Sequence, residues 1–413
     1  MPYSAPVETS TAARPVQPGD RVQLIDALRG IALFGILIVN ISHFRFFDFY
    51  RPESGRLVDR TAGVMVHLLA IGKFYPLFSF LFGVGFAIQM SRASGPSPSR
   101  YLRRLVALFA FGVAHSLLFA RYDILMRYAV LGMLLPLFRN AASRTLLLVA
   151  AGLVLFSVVE PQLLTGYKEW RARNPVVLQS QRDDAAATGR AVKNFDDAGD
   201  RGSFVEVLRA NWNLLKVIPA HDVRDTAFPR IFAIFLLGLL AWRHGVLVRP
   251  REHRRLLHAL AWGGGTVGIA GNLADIWRST LIQHGVPDWT VRLAAVIGNL
   301  SLTALYIAVV VLLWKRFGPR LTFLVKTGRM ALTNYLFQSV AMSLLFCGYA
   351  LHLEMHAASS LLFALGIYSA NVLLSVWWLG RHRFGPMEWI WRYLTYGGSW
   401  GRAPGAISGG ETS

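Results

Sequence analysis

The chemistry available to this chain lies in a few ionisable and amide side chains set among apolar neighbours. His115 and Asp123 flank one turn, in His115-Ser116-Leu117-Leu118-Phe119-Ala120-Arg121-Tyr122-Asp123. A carboxylate there can orient and charge an imidazole. His43 follows Asn40 at i,i+3 on one helical face. Imidazole titrates near neutral pH and serves as acid, base or nucleophile. His43 and Asp123 are therefore the acid–base candidates.

Seven further residues are candidates for holding a substrate. Arg29 pairs with Asp26 at i,i+3 or faces an anionic group such as a phosphate. Asn40 shares the face of His43. Lys73 heads the aromatic run Lys73-Phe74-Tyr75-Pro76-Leu77-Phe78 and points to an interface or into a cavity. His115, Arg329, Asn334 and Gln338 complete the set. Asn334 and Gln338 stand at i,i+4 and must face protein rather than lipid. Each has a plainer alternative, as helix cap, packed side chain or interhelical bridge. His67 is a weaker candidate. No His-Glu-x-x-His pattern, cysteine cluster, phosphate-binding glycine loop or nucleophile elbow occurs, and Cys347 is the single cysteine. The expected metal content is none.

The elements that carry these residues follow from composition. Of 413 residues, 54% are hydrophobic and 16% charged, against a usual charged share of about 25%. Mean hydropathy is +0.41. Such a chain needs lipid as solvent, which excludes a disordered, collagen-like or disulfide-stapled protein and an ordinary cytosolic enzyme. The net charge of +20 reads as the positive-inside bias of a membrane protein, with no nucleic-acid partner expected.

The fold class is all-α, a polytopic transmembrane helix bundle of about ten spans. The segments are 24–43, 64–90, 104–120, 124–138, 145–160, 227–242, 257–276, 292–314, 327–350 and 358–379. A cluster of Gly72, Lys73 and Pro76 predicts a kink in the overlong second segment. With both termini cytoplasmic, the inner segments hold 22 Lys/Arg against 6 on the short outer ones, which supports N-in, C-in.

The domain reading is a disordered cytoplasmic tail over 1–20 and a first transmembrane block over 21–160. An extracytoplasmic loop follows over 161–226, with 10 basic and 9 acidic residues; its stretch Phe204–Ile218 suits a surface helix. The second block covers 227–384, an interfacial cytoplasmic helix 385–397, and a disordered tail 398–413. In that interfacial helix Glu388 and Arg392 share a face at i,i+4.

Several motifs together carry a resemblance. They are Asp26-Ala27-Leu28-Arg29-Gly30 with Val39-Asn40, Lys73-Phe74 with Leu77-Phe78-Ser79-Phe80-Leu81-Phe82-Gly83, and Asp123-Ile124-Leu125 with Tyr128. Gly328-Arg329-Met330-Ala331-Leu332-Thr333-Asn334-Tyr335 with Gln338-Ser339, and Gly385-Pro386-Met387-Glu388-Trp389, complete them. The chain resembles, over 21–400, the bacterial YeiB-like membrane proteins, the domain of unknown function 418.

Its opening is also similar to the acyltransferase-3 group and to heparan-alpha-glucosaminide N-acetyltransferase. That resemblance implies acyl transfer from acyl-CoA, as co-substrate rather than bound cofactor, to a sugar or other polar acceptor. It also implies a histidine close after the first span, where His43 and His67 are nearest. A transporter of a small polar or amphipathic solute and a non-catalytic membrane partner are the rival readings. The expected setting is the bacterial cytoplasmic (inner) membrane, multi-pass, with a homo-oligomer left open.

Overall fold

The computed structural model describes residues 23–45, 56–91, 98–119, 123–222, 227–353 and 356–397. The two tails expected to be disordered lie outside them. Among the described residues the chain is all-helical, with no strand.

The first half contains α1 (Gln23–Arg45), α2 (Leu57–Leu69), α3 (Phe74–Met90), α4 (Pro98–Leu118), α5 (Ile124–Gly132), α6 (Ser143–Arg171), α7 (Pro175–Arg201) and α8 (Phe204–Asp222). The second contains α9 (Ala227–Arg243), α10 (Arg254–Ile276), α11 (Arg278–Gln283), α12 (Asp288–Phe317), α13 (Thr322–Arg329), α14 (Ala331–Phe346), α15 (Ala357–Arg381) and α16 (Pro386–Tyr396).

Six stretches are long and apolar enough to cross a bilayer: Gln23–Ile41, Leu57–Met90, Ser99–Leu118, Ser143–Arg171, Asp288–Arg329 and Ala357–Arg381. The four other expected spans, on α5, α9, α10 and α14, fall outside these six by length or hydropathy. At 1.5 Å per residue, the nine residues of α5 rise only about 14 Å, against a hydrocarbon core of about 30 Å. The apolar helices α9 and α14 have 17 and 16 residues.

The break expected in 64–90 is present. α2 ends at Leu69, Gly72 takes φ 83°, and α3 begins at Phe74 with Pro76 in its first turn, where a missing N–H leaves no bond unmade. The segment expected as a long loop is helical: α6 continues through Pro161 to Arg171, and α7 and α8 form a hairpin. The helix expected over Phe204–Ile218 is present as α8.

α1 runs through the middle of the bundle and touches α3, α12, α13, α14 and α15. Leu24, Leu28, Leu33, Leu37 and Ile41 are all buried on it. Apolar side chains also face outward, such as Leu148 and Leu155 on α6 and Leu362 and Leu373 on α15. A bilayer would cover those faces, whereas the buried set includes Lys73, His115, Asp123, Asn272, Asn334, Gln338 and Asn371.

α13 crosses α1 at two glycines. A Cβ on Gly30 would stand 2.4 Å from the Leu324 carbonyl oxygen, and one on Gly328 would collide with the backbone of Asp26. Only glycine lets the two backbones approach this closely. The α7–α8 hairpin closes on its own small core of Ala191, Phe195, Ala210 and Leu214. It sits against the C-terminal ends of α4 and α14: Asn211 Nδ2 donates to the Leu117 carbonyl at 2.8 Å, and the Gly348 N–H donates to the Gly199 carbonyl at 2.9 Å.

Candidate functional site

Asp123 is the residue before α5, and its Oδ1 caps that helix by accepting from the backbone N–H groups of Leu125 and Met126. The cap fixes the carboxylate and leaves Oδ2 for a second partner. That partner is Nδ1 of His115, at 2.5 Å. The carboxylate beside Nδ1 favours the tautomer that carries its proton there, which leaves Nε2 as the acceptor.

Nε2 lies 2.7 Å from Oγ of Ser339 on α14. The ring of Tyr335, one turn before Ser339, packs on the imidazole with centroids 4.8 Å apart. Asp123, His115 and Ser339 are 6%, 2% and 2% exposed, so the three sit in a line shielded from water.

The Nε2–Oγ contact can be made in two protonation states. With neutral His115, the Ser339 hydroxyl donates to Nε2. With imidazolium, Nε2–H donates to Oγ, and the hydroxyl can turn to the Tyr335 carbonyl, 3.4 Å away. An arrangement that tolerates both states can move a proton without rebuilding its surroundings.

The other sequence candidates fall into two groups elsewhere. Around α1, Arg29 Nη1 pairs with Asp26 Oδ1 at 2.7 Å, as the spacing suggests. Asn334 Nδ2 donates to the Thr327 carbonyl at 2.9 Å and to Ser375 Oγ at 2.8 Å. Gln338 Nε2 donates to Asn371 Oδ1 at 2.9 Å. These two amides bridge α14 to α13 and α15. Arg329 Nη2 donates to the Arg383 carbonyl at 3.1 Å, tying α13 to the turn before α16. Asn40 is half-buried near the end of α1. His43 lies on α1, but its side chain is outside the described residues.

Between α2, α3 and α10, Lys73 is fully buried. Its Nζ donates to the carbonyls of His67 and Ile71, each at 2.6 Å, and to Asn272 Oδ1 at 2.5 Å. The ammonium thus closes the end of α2 and joins it to α10. His67 Nε2 lies 3.3 Å from Asp275 Oδ2 on α10.

Glu388 has a role its local spacing conceals. Oε1 accepts from the backbone N–H groups of Leu332 and Thr333, and Oε2 lies 2.6 Å from Thr333 Oγ1. A residue 55 positions downstream thus caps α14, the helix that carries Ser339. Burial pushes the Glu388 carboxyl above the ordinary glutamate range, against the pull of its hydrogen bonds from Thr333 and Leu332. Arg392 stacks over the Phe384 ring, 4.3 Å from its centroid.

Sequence reasoning paired His115 with Asp123 but did not join Ser339 to them. Ser339 lies 224 residues from His115, and its only local sign is a polar stripe on an apolar helix.

The uncharacterised protein YxaH of Bacillus subtilis is 32% identical to this chain over 403 residues, covering 94% of the chain and 97% of the relative. A family profile described as protein of unknown function (DUF418) matches residues 241–398. The chain belongs to the DUF418 family. The uncharacterised protein YeiB of Escherichia coli is 28% identical to this DUF418 protein, over 91% of it and 96% of the relative. A second profile, described as heparan-alpha-glucosaminide N-acetyltransferase, catalytic, matches residues 21–178. No solved structure matches. His115 and Asp123 fall within the stretch similar to the acetyltransferase, and Ser339 within the DUF418 stretch. With its apolar helices and bacterial relatives, the chain is a multi-pass membrane protein.

Proposed function

We propose that this protein is a membrane-embedded acyltransferase that moves an acyl group from acyl-CoA to a sugar or other polar acceptor. The observation that carries the reading is the buried Asp123–His115 pair, with Nε2 directed at a hydroxyl, inside a stretch similar to an acetyltransferase catalytic domain.

His115 takes the proton from the attacking hydroxyl and returns it to the leaving thiolate. Asp123 holds the tautomer that makes this possible and stabilises the imidazolium that forms. A positioned base of this kind contributes about 10²–10⁴-fold. Arg29 stands two turns of α1 before Ile36, which packs with Tyr335 in the same apolar cluster. From there its guanidinium favours the phosphates of the donor, with the thioester reaching along the bundle toward His115. The setting is the inner membrane with both ends cytoplasmic, so that the α7–α8 hairpin stands outside.

The test is release of CoA by the detergent-purified protein, across acetyl- to long-chain acyl-CoA, beside His115→Ala. Saturable release in the parent and its loss in the variant support the reading. No release from any donor overturns it.

A further inference from the structure

We propose that Ser339 is a nucleophile that carries the acyl group covalently between donor and acceptor. The inference rests on the acyl-transfer reading above and adds a step to it. Its ground is geometric. The hydroxyl that Asp123 and His115 are aligned on, at 2.7 Å from Nε2, belongs to the protein itself. A base poised only for an incoming acceptor needs no protein hydroxyl in that place. Nucleophile, base and orienting carboxylate in this order, each within hydrogen-bond reach of the next, are the arrangement that activates a serine.

The three come from elements far apart in sequence. α4 supplies the base, the cap of α5 supplies the carboxylate, and α14 supplies the hydroxyl. The burial of all three keeps water from an ester formed there, so the group survives until the acceptor arrives.

The steps balance. Ser339 Oγ gives its proton to His115 Nε2 and bonds to the thioester carbonyl carbon. The carbon–sulfur bond breaks, and the departing thiolate takes the proton from imidazolium to leave as free thiol. The acceptor hydroxyl then gives its proton to Nε2 and bonds to the same carbon. The Ser339 ester bond breaks, and Oγ recovers the proton.

The test uses the full chain in detergent and two probes that do not depend on the natural donor. These are an alkyl fluorophosphonate and p-nitrophenyl acetate, each quenched in acid and mapped by peptide mass spectrometry. The expected result is one adduct per chain, on Ser339, with a burst of p-nitrophenolate. Ser339→Ala abolishes the adduct, and His115→Ala slows its formation by about 10²–10⁴-fold. Ser343→Ala, one turn along α14, leaves it unchanged. Ser339→Cys, checked for monodispersity by gel filtration, carries the acetyl group as a thioester and guards against a misfolded alanine variant.

Absence of any adduct on Ser339 overturns the inference. So does a folded Ser339→Ala protein that releases CoA at the parent rate, which leaves the acyltransferase reading standing. An adduct on Ser339 with no CoA release from any acyl-CoA supports the nucleophile and removes the donor assignment.

Discussion

His115 and Lys73 are both buried basic groups in an apolar chain, and their partners separate them. His115 meets a carboxylate on one side and a hydroxyl on the other, the surroundings of an acid–base candidate. Lys73 meets three carbonyl-type oxygens, which makes it a group that holds three acceptors. Each acceptor stranded without a donor costs about 1–3 kcal/mol. Lys73→Ala is therefore expected to lower the thermal midpoint in detergent steeply, while the folded fraction keeps its KM for acyl-CoA. A raised KM with unchanged stability would return Lys73 to a binding role. The difference between the two residues was hidden in sequence. Eight positions across one turn are enough to pair His115 with Asp123, whereas Asn272 lies 199 residues from Lys73.

At the scale of elements, α14 is the helix on which the account depends. It begins right after the α13 crossing at Gly328, is bridged to α13 and α15 by Asn334 and Gln338, and is capped by Glu388 from α16. The cap makes a prediction about pH. A carboxyl whose pKa is raised on folding contributes stability below its unfolded value, about 4.3, and loses it as pH rises through the folded value. The thermal midpoint of the parent protein should fall relative to Glu388→Gln as pH climbs through that window. Parallel curves for the two proteins would contradict the assignment. Glu388→Ala removes the acceptor of two backbone N–H groups, and the loss of a cap costs about 0.5–2 kcal/mol. The short helix itself was legible from Trp389, Trp391 and Tyr393. Its grip on α14 was not, because the local i,i+4 pattern directs attention to Arg392.

At the scale of the whole molecule, hydropathy shows where apolar helices begin and end, but not what surrounds them. The buried turns of α5 and the outward face of α6 both read as apolar sequence. One is nine residues long and packs Tyr128 and Ala129 into the core, and the other shows Leu148 and Leu155 outward. That is why ten segments were legible and six stretches have the length and hydropathy of spans. The near-equal charges of 161–226 made it look like a plain loop, yet Ala191, Phe195, Ala210 and Leu214 give its helices a core. The proposed topology predicts that alkaline phosphatase inserted at Gly202 is active outside the membrane and that a fluorescent protein fused after Ser413 folds in the cytoplasm. The opposite pattern would reverse the orientation.

The central claim is that the Asp123–His115 pair serves acyl transfer. The most direct measurement is the rate of CoA release from acetyl-CoA and longer acyl-CoA donors by purified parent protein and His115→Ala, each confirmed monodisperse. The account predicts saturable release in the parent and a fall of about 10²–10⁴-fold in the variant. Release by a folded His115→Ala protein at the parent rate, or no release from any donor by the parent, would contradict it.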